Sequence, residues 1–239
     1  MGENMKIAVI SANIGDFDEV KEDVIQSIDA TFYRFTDNNF PPRHMAMTSR
    51  LQARIPKMFG WQMCPGYDYY IWKDSSLAML HPDSIKWFLE QCPGDIAFFI
   101  HPDRKTIQQE ADFIKKRIKD GSKYLSTRYA NELIDEQLAE IQGDKTYTDN
   151  LLLATGSFIY KNTPKVHALM KEWWYHTSRY HSVDQLGLPY AIYKTDCNVT
   201  IINKDGKPYA IYDSKCSVRV INEHYMHTPY LTYVRTRNR

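Results

Sequence analysis

Four polar residues stand where four apolar, strand-like runs end: Asn13 after KIAVISA, Asp37 after TFYRFT, Asp74 after YDYYIWK and His101 after DIAFFI. In open α/β sheets, ligands bind at the carboxyl ends of the strands, near the point where strand order reverses. One polar strand end is commonplace, but four in succession describe a pocket rim. The run YDYYIWKDSS, residues 67–76, makes the case most directly. Aromatic and β-branched residues suited to a strand give way to a carboxylate, then to Ser75 and Ser76, which are too small to fill anything. Upstream, Arg50, Arg54 and Lys57 follow i, i+4, i+7 spacing and share one helical face, with Arg43 preceding them. A charge stripe is usually a solvated face. This one immediately precedes the strand that ends in Asp74, and its guanidinium forks match diphosphate oxygens. The sequence has no GxxxxGK[ST] and no GxGxxG, which excludes a glycine loop that cradles phosphate.

Three later stretches carry a structural and a chemical reading each. Ser182-Val183-Asp184-Gln185 has the form of a capping box, with Ser182 as cap and Gln185 reaching back. Gly187 and Pro189 then make the helix irregular, which capping does not require. In IHPDR, His101 ends a strand and Pro102-Asp103 opens a helix, while Arg104 faces an ion-pair partner in Glu110. His224 and His227 lie three apart in INEHYMHTPY, and a histidine so placed is more often a satisfied surface residue than a ligand. The terminal YVRTRNR reads as a solvated basic end.

These residues need elements to hold them. The chain alternates strand and helix: KIAVISAN (6–13), a helical FDEVKEDVIQSI, TFYRFTDN (31–38), a basic helix from about Met45 to Phe59, and the strand before Asp74. There follow a helix SIKWFLEQC, the strand DIAFFIHP (95–102), a charged helical stretch to Gln142 broken near Gly121-Ser122, and NLLLATGSFIYKN as one or two strands. Thr163-Pro164 caps a helix whose Val166, Leu169, Met170, Trp173, Trp174 and Thr177 form one face, so the tryptophans belong to a core. A last helix and NVTIIN close the pattern. The alternation predicts an α/β sandwich with a mainly parallel central sheet flanked by helices, a single domain over residues 1–239. A net charge of +1 gives no general pull toward nucleic acid. No stretch approaches the roughly 20 apolar residues of a membrane span, and the opening MGENMKIAVISAN lacks the features of a signal peptide. Cys64, Cys92, Cys197 and Cys216 are scattered, as reduced thiols of a cytoplasmic protein would be.

Taken together, SANIGDFDE, FTDN, SRLQARIPKMFG, YDYYIWKDSS, IHPDR and VDQLGLPY resemble, in this order, the GT-A glycosyltransferase superfold. Within it they are most similar to the glycosyltransferase-like domain of the TOD/MUCI type, over roughly residues 6–203. The resemblance implies a Rossmann-like GT-A domain that moves a sugar from a UDP- or GDP-sugar to a glycan or other hydroxyl acceptor, as in polysaccharide biosynthesis. It places Asn13, Asp37, Arg50, Arg54, Lys57, Asp74, Ser76, His101 and Arg104 around the donor. It implies Mn2+ or Mg2+ at Asp74, with His224 or His227 as a second ligand, although Ser76 stands where the second Asp of Asp-x-Asp would be. It puts Asp184 and Gln185 at the reacting centre, Asp184 as the base that deprotonates the acceptor. The missing second Asp leaves open a non-catalytic nucleotide-sugar or glycan binder on the same fold.

Overall fold

The computed structural model describes residues 5–18, 20, 22–40, 47–181 and 183–202, and the backbone alone of 218–220. Its frame is a 6-stranded sheet in the order β2-β1-β3-β6-β5-β7. The strands are β1 (Ile7–Asn13), β2 (Thr31–Thr36), β3 (Tyr69–Lys73), β5 (Ile96–Ile100), β6 (Leu153–Lys161) and β7 (Val199–Ile202). β1 pairs in parallel with β2 and β3, and β5 with β7, while β6 runs antiparallel between β3 and β5. The chain leaves β1 for β2 on one side and returns to β3 on the other, so strand order reverses at β1. A short β4 (Leu77–Met79) pairs with β8 (Val218–Val220) apart from this sheet.

Alternation along each strand splits the core into two layers. Ala8, Ile10, Tyr70, Trp72, Phe98, Phe158 and Tyr160 face one side, under α1 (Ser49–Met63) and α6 (Pro164–Tyr180). Ile7, Val9, Ile71, Phe99 and Ile159 face the other, against Ile85 and Phe88 of α2 (Ser84–Glu90). A sheet covered on both faces explains why these strands read as near-continuous apolar runs. A third cluster joins α3 (Ile107–Lys119), α4 (Lys123–Tyr129), α5 (Ile134–Gly143) and α7 (Asp184–Lys194) beside the sheet's carboxyl edge. Trp173 lies in the first layer, fully buried, and Trp174 packs on Phe59, as the helical stripe predicts.

The expected helix FDEVKEDVIQSI is absent: the described residues between β1 and β2 form no helix. Its alternative is better satisfied. Asp23 accepts the Met79 N–H at 2.8 Å and pairs with buried Lys73 at 3.1 Å, and Val24 N–H donates to Met79 O. These bonds draw the segment along β4, where a helix could not follow. The NLLLATGSFIYKN run forms the one strand β6, with a register shift opposite Phe98–Phe99. Among the described residues, no helix is long and apolar enough to cross a membrane.

Candidate active site

The carboxyl edge of the sheet carries two adjoining cavities. The larger, about 810 Å3, is lined by the end of β1, the start of α1, the Asp74-Ser75-Ser76 turn and α4. The smaller, about 300 Å3, is lined by His101 and Arg104, the start of β6 at Thr155-Gly156, and Asp184 and Gln185. They meet at Arg54, Asp74, Ser76, Tyr124 and Arg128, which line both. Because β6 is reversed, its amino end reaches the same edge as the carboxyl ends of its neighbours. Gly156 O accepts the Asp74 N–H at 2.8 Å, which fixes the turn between the cavities.

Asn13 and Asp37 shape a turn more than they face a ligand. Asn13 Oδ1 accepts the N–H groups of Phe17 and Asp18, and its Nδ2 donates to Asp18 O. Asp37 accepts the Gly15 N–H at 2.8 Å, where Gly15 adopts φ +83°, a conformation that glycine tolerates best. Asn13 lines the larger cavity, and Asp37 lines neither. Asp18, which the sequence reading passed over, also lines the larger cavity and takes a hydrogen bond from Ser75 Oγ.

The three cations of α1 share a face as predicted and meet different partners. Arg50 pairs with Glu132 and donates to His181 O at 2.8 Å, with its guanidinium over the Tyr129 ring. Arg54 Nε lies 3.2 Å from Asp184 Oδ2. Lys57, with only 1% of its side chain exposed, donates to the same oxygen at 2.6 Å and lies 3.6 Å from Asp74 Oδ1. Lys57 lines neither cavity, which corrects its expected place on the diphosphate. It is a buried counter-charge between two carboxylates.

Asp184 is likewise corrected as a general base. Burial alone would raise its pKa, but Arg54 and Lys57 outweigh that and hold it at about 2. With 4% of the side chain exposed and both cations bound, it has little affinity for an acceptor's proton near neutral pH. Its backbone carbonyl accepts the Trp173 indole N–H at 2.7 Å, which pins the start of α7 to the core. Ser182, the expected cap, lies outside the described residues, and Val183 occupies the cap position without a side-chain bond. Gln185 lines the smaller cavity.

His101 Nδ1 accepts the N–H groups of Asp103 and Arg104 at 3.2 and 3.1 Å, so it staples the entry to the next segment. Burial, then Arg104, lowers its pKa to about 4. Arg104 pairs with Glu110, as the sequence suggested, and its guanidinium sits 4.1 Å from the Phe113 ring centroid. Glu132 and His181 were not foreseen. Burial raises Glu132 to about 7 against the pull of Arg50, and His181 Nδ1 stands 3.2 Å from it. No local pattern marks them, since Glu132 sits in a turn and His181 only ends α6.

Asp74 is the carboxylate that faces both cavities, with 37% of its side chain exposed. A divalent cation asks for several hard oxygen ligands. Among the described residues no three His, Cys, Asp or Glu side chains gather. Asp74 Oδ1 already accepts the Trp72 indole N–H at 2.9 Å beside the Lys57 ammonium, and a Ser76 hydroxyl poorly replaces a carboxylate. The described residues therefore do not fit a resident Mn2+ or Mg2+. His224 and His227, the expected second ligands, lie outside them, as does Arg43.

Residues 43–227 match the family described as TOD1/MUCI70, glycosyltransferase-like domain. The chain belongs to this family. Its fold is an α/β sheet, mostly parallel and flanked by helices, as the sequence predicts. Among solved structures it resembles 4-diphosphocytidyl-2C-methyl-D-erythritol synthase from Anaerococcus prevotii DSM 20548, with a TM-score of 0.37 and 10% identity, covering 84% of this chain and 89% of that one. It also resembles mouse xyloside xylosyltransferase 1, apo form, with a TM-score of 0.36 and 10% identity, covering 78% and 80%. No curated protein matches the sequence.

Proposed function

We propose that this protein is a glycosyltransferase that takes a UDP- or GDP-sugar in the larger cavity and a glycan or other hydroxyl acceptor through the smaller one. The observation that carries the reading is the junction of the two cavities at Asp74, Ser76 and Arg54, at the edge where strand order reverses. Family membership supports it at the level of the chemistry. Ser75 and Ser76 leave room for the diphosphate beside Asp74. In sugar transfer, positive charge grows on the anomeric carbon and negative charge on the departing diphosphate. Asp74 at the junction stabilises the first, and cations fixed in the cavity wall stabilise the second. Asp184 acts by holding Arg54 and Lys57 in place, a positioning role. We assign no step to a metal ion and place the reaction in the cytoplasm.

The test is turnover. Purified protein incubated with UDP- and GDP-sugars and oligosaccharide or water as acceptor should release the nucleoside diphosphate, and Asp74→Asn should suppress release while donor still binds. Saturable binding with no release from any donor would replace the enzyme with the non-catalytic binder.

A further inference from the structure

The cations first expected on a diphosphate are engaged elsewhere: Arg50 with Glu132, and Arg54 and Lys57 with Asp184. Helix α4 also forms part of the wall of the larger cavity. Lys123, Tyr124, Thr127 and Arg128 all line that cavity. Their spacing, i, i+1, i+4, i+5, places them on one side of the helix. Arg128 and Tyr124 reach the smaller cavity as well, so they stand at the seam where a donor's diphosphate and sugar would join. The Arg128 guanidinium lies 4.4 Å from the Tyr124 ring centroid, a stacking that holds a long side chain in one place. Among the described residues, neither Lys123 nor Arg128 has a carboxylate within 4.0 Å.

Charge decides what this face suits. Within the cavity walls, Arg50 cancels Glu132, while Arg54 and Lys57 cancel Asp184 and Asp74. Among the described residues, the lining charges left over are Lys123 and Arg128, against Asp18. A site with uncommitted cations, one of them a preorganised guanidinium fork, suits paired phosphate oxygens.

We propose that α4 is the phosphate-binding element, with Arg128, steadied by Tyr124, and Lys123 taking up the charge of a nucleoside diphosphate. The inference rests on the nucleotide-sugar reading of the larger cavity and adds to it the residues that hold the leaving group.

Calorimetry would compare UDP and GDP with uridine and guanosine on the full chain, for the wild type, Arg128→Gln, Arg128→Lys and Lys123→Gln. Loss of a charged hydrogen bond predicts that Arg128→Gln weakens the favoured diphosphate roughly 10- to 100-fold while its nucleoside binds as before. Arg128→Lys should recover part of the loss, since it keeps the charge and loses the fork. Lys123→Gln should show a smaller loss of the same kind. Equal diphosphate affinity in wild type and Arg128→Gln would overturn the assignment while leaving the donor reading intact. An equal loss of nucleoside and diphosphate would make Arg128 a structural residue and overturn it too. A wild type that binds neither UDP nor GDP would overturn the donor reading, and this inference with it.

Discussion

At the scale of single residues, the site turns on one carboxylate serving two cations. Removing Asp184 would strip Arg54 of its carboxylate and leave buried Lys57 with Asp74 alone, 3.6 Å away. Breaking a buried pair in this way typically costs about 3–5 kcal/mol. Asp184→Asn should therefore lower the free energy of urea unfolding by about that amount. Arg54→Gln, which leaves the Lys57 pair whole, should cost less. Two other buried groups oppose each other in their pH response. His101 is lowered from 6.5 to about 4, so its unfolded form binds more protons and stability falls as pH drops through that interval. Glu132 is raised from 4.5 to about 7, so its folded form binds more protons and stability falls as pH rises through that interval. Between roughly pH 4.5 and 6.5 the two slopes nearly cancel, each being at most about 1.4 kcal/mol per pH unit. Glu132→Gln should remove the opposing slope, so its unfolding free energy should climb more steeply with pH across this window than that of the wild type.

At the scale of elements, α7 places Asp184 only because α6 lets it come close. A Cβ on Gly187 would meet His176 Cβ at 2.7 Å and Gln137 Nε2 at 3.2 Å. In an exposed helix, Gly to Ala gains up to about 1 kcal/mol. Here overpacking costs about 1–3 kcal/mol and should win. Gly187→Ala should thus shift the urea midpoint downward with an unchanged m-value. The sequence had flagged this glycine as an irregularity without a reason, and the reason lies across the helix pair, invisible to any local pattern. The same divide runs through the rest of the site. Strand runs, the capped α6 and the strand-end positions of Asn13, Asp74 and His101 were legible because period and turn chemistry are local. The partners of Arg50, Arg54 and Lys57 were not, because spacing fixes a shared face and says nothing of what meets it. The absent helix after β1 fails for the same reason: its apolar spacing is helical, yet Asp23 finds better bonds on β4 and Lys73.

At the scale of the whole molecule, donor binding should appear as global stabilisation. A ligand at 100 times its Kd adds about 2.7 kcal/mol, which for a chain of this length raises Tm by roughly 5–10 °C. The matching UDP- or GDP-sugar should give this shift in a thermal melt. Because the described residues gather cations of their own and do not fit a divalent ion, the shift should survive EDTA; its loss there would bring a metal back into the site. The antiparallel β6 has one more consequence, and it concerns time. Lys57 and Asp184 are separated by 127 residues, and Arg50 and His181 by 131, so the chain must close very long loops before the cleft exists. Contacts of such separation form late, since loop entropy is spent before they return anything. Lys57 finds its Asp184 partner only once α7 has been made, 127 residues later in the chain. In refolding, Trp173, packed in the core and bonded to the Asp184 carbonyl, should report this closure as a slow fluorescence phase, and nucleotide binding should be regained in step with it rather than with the earlier gain of helix.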